Sequence, residues 1–308
     1  MTHSVVVSGL TRRFGHFVAV RDVSFDVKKG EIFGYLGANG AGKSTTIRIL
    51  CGLLSASEGK ATVAGVDVIK RPDRVRRVIG YMSQKFSLYL DLTVFENLEF
   101  FGGAYGLFGN AFKSRSEELL TELDLVPHVD KITADLPGGT RQKLALACAV
   151  LHKPAVIFLD EPTAGVAPEA RRIFWRLIRD FADKGTTVFV TTHYLDEAEY
   201  CDRVGLMVDG KLAALDTPIN LKKTFVQGRM FEVHGASAAD VQYALKSLPI
   251  LDIEPFGAGL HVRVADNGPT EIELQAILEA AGFNGVNAAP TEVTLEDVFL
   301  RVVRGGAC

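Results

Sequence analysis

Short apolar runs, separated by turn residues, punctuate the first part of the chain. Glu31–Leu36, Arg76–Met82, Ala155–Leu159, Thr186–Thr191 and Arg203–Val208 carry Val, Ile, Phe and Leu on consecutive positions rather than alternate ones. Strands buried on both faces read this way, whereas a strand with one wet face alternates. Helical spacing appears between the runs, and that succession predicts an α/β core around a mostly parallel sheet. Residues 4–9 and 22–28 also read as strands and predict an N-terminal antiparallel β subdomain.

Between Phe86 and Leu151 the strand signal lapses. Helical stretches at Val94–Tyr105, Ser114–Leu125 and Thr140–Leu151 predict a helical subdomain inserted at about 86–151. A further amphipathic helix follows at Glu169–Phe181, with Ile173, Phe174, Leu177, Ile178 and Phe181 on one face, read as core. Thr217-Pro218 and Lys222-Lys223 mark a change of composition, so residues 1–220 are expected as one domain, 221–230 as a linker and 231–308 as a second domain. In the second domain, Phe231–His234, Ala238–Leu248, Asp252–Pro255, Leu260–Val264, Thr270–Ala281 and a last strand and helix from Gly285 to Val303 give the order β-α-β-β-α-β. That is the order of a small α+β, ferredoxin-like unit.

Charge and cysteine usage narrow the setting. Against 34 Lys and Arg stand 37 Asp and Glu in 308 residues, so no basic field calls for nucleic acid, and none is expected as a partner. Cys51, Cys148, Cys201 and Cys308 lie far apart without C-x-x-C spacing, which argues against zinc and a disulfide framework and suits a reducing cytoplasm. No apolar run reaches the roughly 18 residues of a membrane span, so a link to a membrane is expected to come through a partner.

The chemistry is concentrated at strand ends. Gly37-Ala-Asn-Gly-Ala-Gly-Lys43-Ser44 fits G-x-x-x-x-G-K-[ST] at every defined position, after a strand and before a helix. Glycines free the backbone N–H groups of such a loop to converge on phosphate oxygens, and the helix start adds its positive dipole. Gly37, Asn39, Gly40, Gly42, Lys43, Ser44 and Thr45 are therefore expected to bind a nucleoside triphosphate, with Lys43 reaching the β- and γ-phosphates and Ser44 ligating Mg²⁺. Val156-Ile-Phe-Leu-Asp160-Glu161 is an apolar strand ending in two carboxylates. Side chains alternate along a strand, so the two have different tasks: Asp160 holds Mg²⁺ and Glu161 faces the attacking water. His193 after Thr191-Thr192, and Gln84 after Gly80-Tyr-Met-Ser, close two further runs toward the same crevice; Gln84 there places a neutral amide near metal and water. Leu136-Pro-Gly-Gly-Thr-Arg-Gln-Lys-Leu144 opens a helix with paired glycines. As a second anion site it makes sense if it closes on the nucleotide of another copy.

With these motifs in this order, residues 4–220 resemble the ATPase subunit of an ATP-binding cassette (ABC) transporter. The resemblance implies ATP and Mg²⁺ as ligands. It makes Gly37–Ser44 the Walker A loop, Gln84 the Q-loop, Leu136–Thr140 the signature loop with Gly138 and Gly139, Asp160 the Walker B aspartate, Glu161 the catalytic glutamate and His193 the switch histidine. Phe14 falls where that family stacks an aromatic ring on adenine. The Pro290–Phe299 segment and Gln84-Lys-Phe-Ser-Leu-Tyr89 resemble bacterial drug-export ATPases that work with ABC-2-type permeases. That implies a homodimer or heterodimer held peripherally on the inner face of the membrane. Phe86, Leu88, Tyr89, Leu92 and Phe101 are candidate permease contacts or subdomain core. The chain departs from the family at Pro137, where serine is usual, and at Ala167, where aspartate is usual. Pro137 removes a hydroxyl and Ala167 a carboxylate, which opens the alternative of a weakly active or regulatory subunit that needs a second, different cassette.

Overall fold

A computed structural model describes residues 2–84, 88–283 and 285–305, and the chain divides into two units, Met1–Pro218 and Ile219–Cys308. The first unit runs β1 (His3–Phe14), β2 (Phe17–Lys28), β3 (Ile32–Gly37), α1 (Lys43–Leu50), β4 (Glu58–Val63), β5 (Val66–Asp67), α2 (Pro72–Val78) and β6 (Ile79–Met82). It continues with α3 (Val94–Ala104), α4 (Gly109–Glu122), α5 (Gly138–Val150), β7 (Val156–Asp160), α6 (Pro168–Asp183), β8 (Thr187–Thr192), β9 (Arg203–Val208) and β10 (Lys211–Asp216).

Two sheets form from these strands. One is antiparallel, in the order β2-β1-β4-β5; the other has six strands, β10-β9-β3-β8-β7-β6, all parallel except β10. Every residue of β3, β7 and β8 is buried, as runs without alternation require. Phe189 on β8 lies at the centre of the core. Its ring centroid is 5.3 Å from those of Phe33 and Tyr35 on β3, 5.4 Å from Phe158 on β7 and 5.9 Å from Phe25, which β2 contributes from the other sheet. Aromatic packing thus joins the two sheets.

Some boundaries differ from the sequence reading. Arg76–Val78 belongs to α2, not to a strand: Pro72 fixes the backbone at the helix start, Val75 is buried, and the strand begins only at Ile79. The strands β4, β5 and β10 are not announced by the apolar pattern. In β4 only Ala61 and Val63 face the core, too short an alternation to stand out. In the helical stretch, α3 starts with a capping box in which the Thr93 side chain accepts from Glu96 N and the Glu96 carboxylate accepts from Thr93 N. The fully buried Asn97 donates to Tyr89 O at 2.9 Å and Thr133 Oγ1 at 3.0 Å, pinning the segment that leads into α3. Leu88 is buried, Tyr89 is exposed, and Tyr89, Phe100 and Phe101 form an edge-packed aromatic group; Phe86 lies outside the described residues.

The expected linker at 221–230 is not open chain: α7 (Pro218–Phe225) takes up its first half and β11 (Arg229–His234) begins within its second. The second unit continues with α8 (Ala238–Ala244), β12 (Ile250–Phe256), β13 (Gly259–Val264), α9 (Glu271–Ala280), β14 (Asn287–Pro290) and α10 (Leu295–Gly305). Its antiparallel sheet has the order β12-β13-β11-β14. Alternation along β13 divides the two faces. Leu260, Val262 and Val264 pack with Val241 of α8, Leu245 just after it, and Leu274 and Leu278 of α9. His261 and Arg263 point to the opposite face, where His261 Nδ1 is 2.7 Å from Asp297 Oδ1 on α10. Arg304 of α10 pairs with Glu254 and lies 3.6 Å from Asp252. The apolar residues Leu295, Val298 and Val302 of α10 are buried beside these charges.

Candidate functional site

The carboxyl ends of β3, β8, β7 and β6 lie side by side in the six-stranded sheet. Four neighbouring strands thus deliver Lys43, His193, Asp160 with Glu161, and Gln84 to one crevice. Between β3 and α1 the chain turns through Gly37 and Gly42, whose φ angles are 156° and 101°. A Cβ at Gly37 would meet Met207 O at 2.4 Å, and one at Gly42 would meet Ala19 O at 2.5 Å, so glycine is required on steric grounds at both. The loop borders a cavity of about 410 Å³ lined by Phe14, Phe17, Ala19, Asn39, Gly40, Gly42, Lys43, Ser44, Thr45, Gln84 and Glu161. Nine of these are positions expected from sequence; Ala19 and the exposed ring of Phe17, 64% accessible, are the additions.

Lys43 is almost fully buried. Its Nζ donates to Gly37 O at 2.7 Å and Ala38 O at 3.2 Å and lies 3.5 Å from Glu161 Oε1. Burial pushes the Lys43 ammonium below its ordinary pKa, against the opposing pull of Glu161 and then Asp160. Ser44 Oγ donates to Asp160 Oδ1 at 3.0 Å, and Thr191 Oγ1 donates to the same oxygen at 2.7 Å. Thr191 Oγ1 also accepts from Glu161 N at 3.0 Å, tying β7 to β8 just where Glu161 turns to a φ of 50°. A non-glycine residue held at positive φ is strained, and the paired threonine oxygen helps to keep it there.

Glu161, 7% exposed, is the meeting point. Its Oε2 accepts from Gln84 Nε2 at 2.9 Å and lies 3.1 Å from His193 Nδ1. Asp160 and Glu161 do point to different partners, Asp160 to the hydroxyls and Glu161 to the amide, imidazole and ammonium. Phe14 is 46% exposed at the cavity edge, with the Arg12 guanidinium 4.5 Å from its ring centroid.

Gly138 and Gly139 are not brought to this crevice within the chain. They begin α5 behind Pro137, which occupies the N-cap position without a side-chain cap. With Thr140, Lys143, Gly165, Val166, Ala167, Ala170, Ile173 and Phe174 they border a separate groove of about 480 Å³. A hydrogen bond links the two regions: the buried Gln142 of α5 donates through Nε2 to Pro162 O, in the loop after Glu161. Gln142, Thr163, Thr191 and Glu197 form supports that sequence reasoning did not single out. Of these only Thr191, two positions before the expected switch histidine, carried a visible cue.

Residues 20–164 match the ABC transporter family. Over 306 residues the chain is 36% identical to the daunorubicin resistance ATP-binding protein DrrA2 of Streptomyces coeruleorubidus, across 97% of this chain and 95% of that protein. The chain is an ABC transporter ATP-binding protein. Over 213 residues this ABC ATPase is 52% identical to the probable multidrug ABC transporter ATP-binding protein YbhF of Escherichia coli, across 69% of the chain but only 37% of YbhF. The chain therefore matches little more than a third of that relative's length. Among solved structures, an ATP-binding subunit of an ABC transporter superposes with a TM-score of 0.65 at 31% identity, over 72% of this chain and 92% of that one. A dimeric ATP-binding cassette in a post-hydrolysis state, bound to ADP and Pi, superposes with a TM-score of 0.63 at 26% identity, over 69% and 98%.

Proposed function

We propose that this ABC ATPase powers an exporter, hydrolysing ATP to drive drugs or other amphipathic compounds through a separate ABC-2-type permease. The observation that carries the ATPase part is the convergence of Lys43, Gln84 and His193 on the Glu161 carboxylate. The names of DrrA2 and YbhF, a drug-resistance and a probable multidrug protein, support the export part. Among the described residues no helix is long and apolar enough to cross a membrane. In this reading the chain sits peripherally on the inner face of the membrane through that permease.

In this reading two cassettes, identical or related, enclose two ATP molecules. Each nucleotide lies against Gly37–Thr45 of one subunit and Gly138 and Gly139 of the other; the dimeric relative supports such pairing. The donor set fits Mg²⁺. Ser44 Oγ and Asp160 Oδ1 already share one point, Gln84 adds an amide, and Mg²⁺ favours few protein oxygens alongside phosphate and water. Ser44, Asp160 and Gln84 would hold the ion, which when bound neutralises charge on the phosphate oxygens. Lys43 binds the β- and γ-phosphates. Glu161 takes the proton of the attacking water, while His193 and Gln84 orient that water and the γ-phosphate. ATP that bridges both subunits binds the closed dimer better than the open one, so its binding drives closure and its hydrolysis permits reopening.

Inverted membrane vesicles holding the chain and its permease test the export reading. ATP-dependent uptake of a fluorescent amphipathic dye is expected with the parent chain and not with the chain omitted. Equal dye uptake in both would refute it. The base stack is tested separately. Phe14→Ala is expected to weaken binding of a fluorescent ATP analogue about 5- to 10-fold, in line with the roughly 1–3 kcal/mol of a base–aromatic stack. An unchanged Kd would remove Phe14 from the site and leave Phe17 as the adenine platform.

A further inference from the structure

Glu197 lies outside the residues assigned to the reaction, yet it is fully buried and both its carboxylate oxygens are engaged. It opens a short 3₁₀ turn, Glu197–Tyr200, between β8 and β9. Thr163 Oγ1 donates to Glu197 Oε1, and Thr192 Oγ1 donates to Oε2 at 2.7 Å. Thr163 follows Glu161 by two positions and Thr192 immediately precedes His193. We propose that Glu197 is a positioning residue that locks the Glu161 loop to the His193 loop, so that both groups address the same phosphate and water. The proposal rests on the roles given to Glu161 and His193 above.

Four further contacts favour this over simple packing. Tyr194 N donates to Thr192 Oγ1 at 2.9 Å, so the hydroxyl that reaches Glu197 also turns the chain at His193. Arg171 of α6 brings Nε to 3.2 Å from Glu197 Oε1 and its guanidinium to 4.0 Å from the Tyr194 ring centroid. The Tyr194 ring in turn lies 4.1 Å from that of His193. A buried carboxylate is costly unless paired and hydrogen-bonded, so an apolar side chain would serve better if filling space were the only task. What the carboxylate adds is a bridge: one oxygen for each loop. No other side chain of this length accepts from both hydroxyls and pairs with Arg171. Misplacing reacting groups by about 1 Å can cost on the order of 100-fold in rate.

The test compares Glu197→Ala, Glu197→Gln, Glu161→Gln and the double variant Glu161→Gln/Glu197→Ala in the full chain. The readouts are kcat for phosphate release and Kd for a fluorescent ATP analogue. Glu197→Ala is expected to lower kcat about 10- to 100-fold with Kd within about threefold. Glu197→Gln, which keeps the length and one acceptor, recovers kcat to within about fivefold of the parent. In the Glu161→Gln background, Glu197→Ala costs less than about threefold more, because groups that act as a unit are not additive. If Glu197→Ala fails to fold, Thr192→Val removes one arm of the bridge alone and is expected to lower kcat about 3- to 10-fold at unchanged Kd. A parent-like kcat in Glu197→Ala or Thr192→Val, a fully multiplicative loss in the double variant, or a Glu197→Gln no better than alanine would overturn the proposal. A parent-like kcat in Glu161→Gln alone would instead remove the assignment of Glu161 as base, and the Glu197 proposal with it.

Discussion

Glu161→Gln is expected to lower steady-state ATP turnover about 100- to 1000-fold, within the range of a positioned general base, while ATP stays bound. The substitution changes little besides charge and basicity. Glutamine has the same length, remains within reach of the Gln84 amide, and leaves the backbone bond from residue 161 N to Thr191 Oγ1 in place. What it removes is the proton acceptor that lies 3.1 Å from His193 Nδ1 and 3.5 Å from Lys43 Nζ. In the proposed mechanism binding and closure draw on Lys43 and the loop backbone, so the variant should accumulate as an ATP-bound dimer, visible by size-exclusion chromatography with retained nucleotide. Phosphate release at the parent rate would show that another group activates water. Loss of turnover without an ATP-bound dimer would point to a second, different cassette as the missing half, the situation that Pro137 and Ala167 make conceivable.

The second large effect concerns stability. Phe189→Ala is expected to destabilise the first unit by about 3–5 kcal/mol, the usual cost of truncating a fully packed phenylalanine. The loss should lie near the upper end, because the ring touches four other aromatic rings from three further strands in two sheets, and no single neighbour can move in to fill the space. Trp175 is the one tryptophan of the chain and is buried on α6 in the first unit, so its fluorescence follows that unit. With a urea m-value of about 1–3 kcal/mol per molar, the midpoint should fall by roughly 1 M or more. A shift below about 0.3 M would mean that the two sheets hold together without the Phe189 ring.

The parallel core was legible because its strands are buried on both faces and so write uninterrupted apolar runs. The phosphate loop was legible for a different reason: Gly37 and Gly42 are dictated by backbone atoms of Met207 and Ala19, and steric demands of that kind leave a fixed spacing in the sequence. The strands β4, β5 and β10 were not legible, since they are short or half-exposed and draw their stability from pairing with β1, β4 and β9 rather than from their own composition. The start of β6 was obscured by Arg76–Val78, where valine and isoleucine span a helix end and a strand start without a break. In the site, the residues proposed to bind phosphate sit in contiguous motifs and could be found. Their supports could not. Gln142 meets Pro162, and Glu197 meets Thr163, only because distant strands and helices converge, and single polar residues in apolar surroundings carry no periodic signal.

The seating of α10 in the second unit has a consequence for how the end of the chain finds its place. A helix held by apolar contact alone can slide by one turn, about 5.4 Å, and recover much of its contact. Here such a slide would carry Asp297 away from His261, and Arg304 away from Glu254, leaving charges stranded beneath the helix. Stranding a buried charge costs several kcal/mol. The charges therefore act as an alignment key, and what they contribute is a single register for the last helix rather than adhesion.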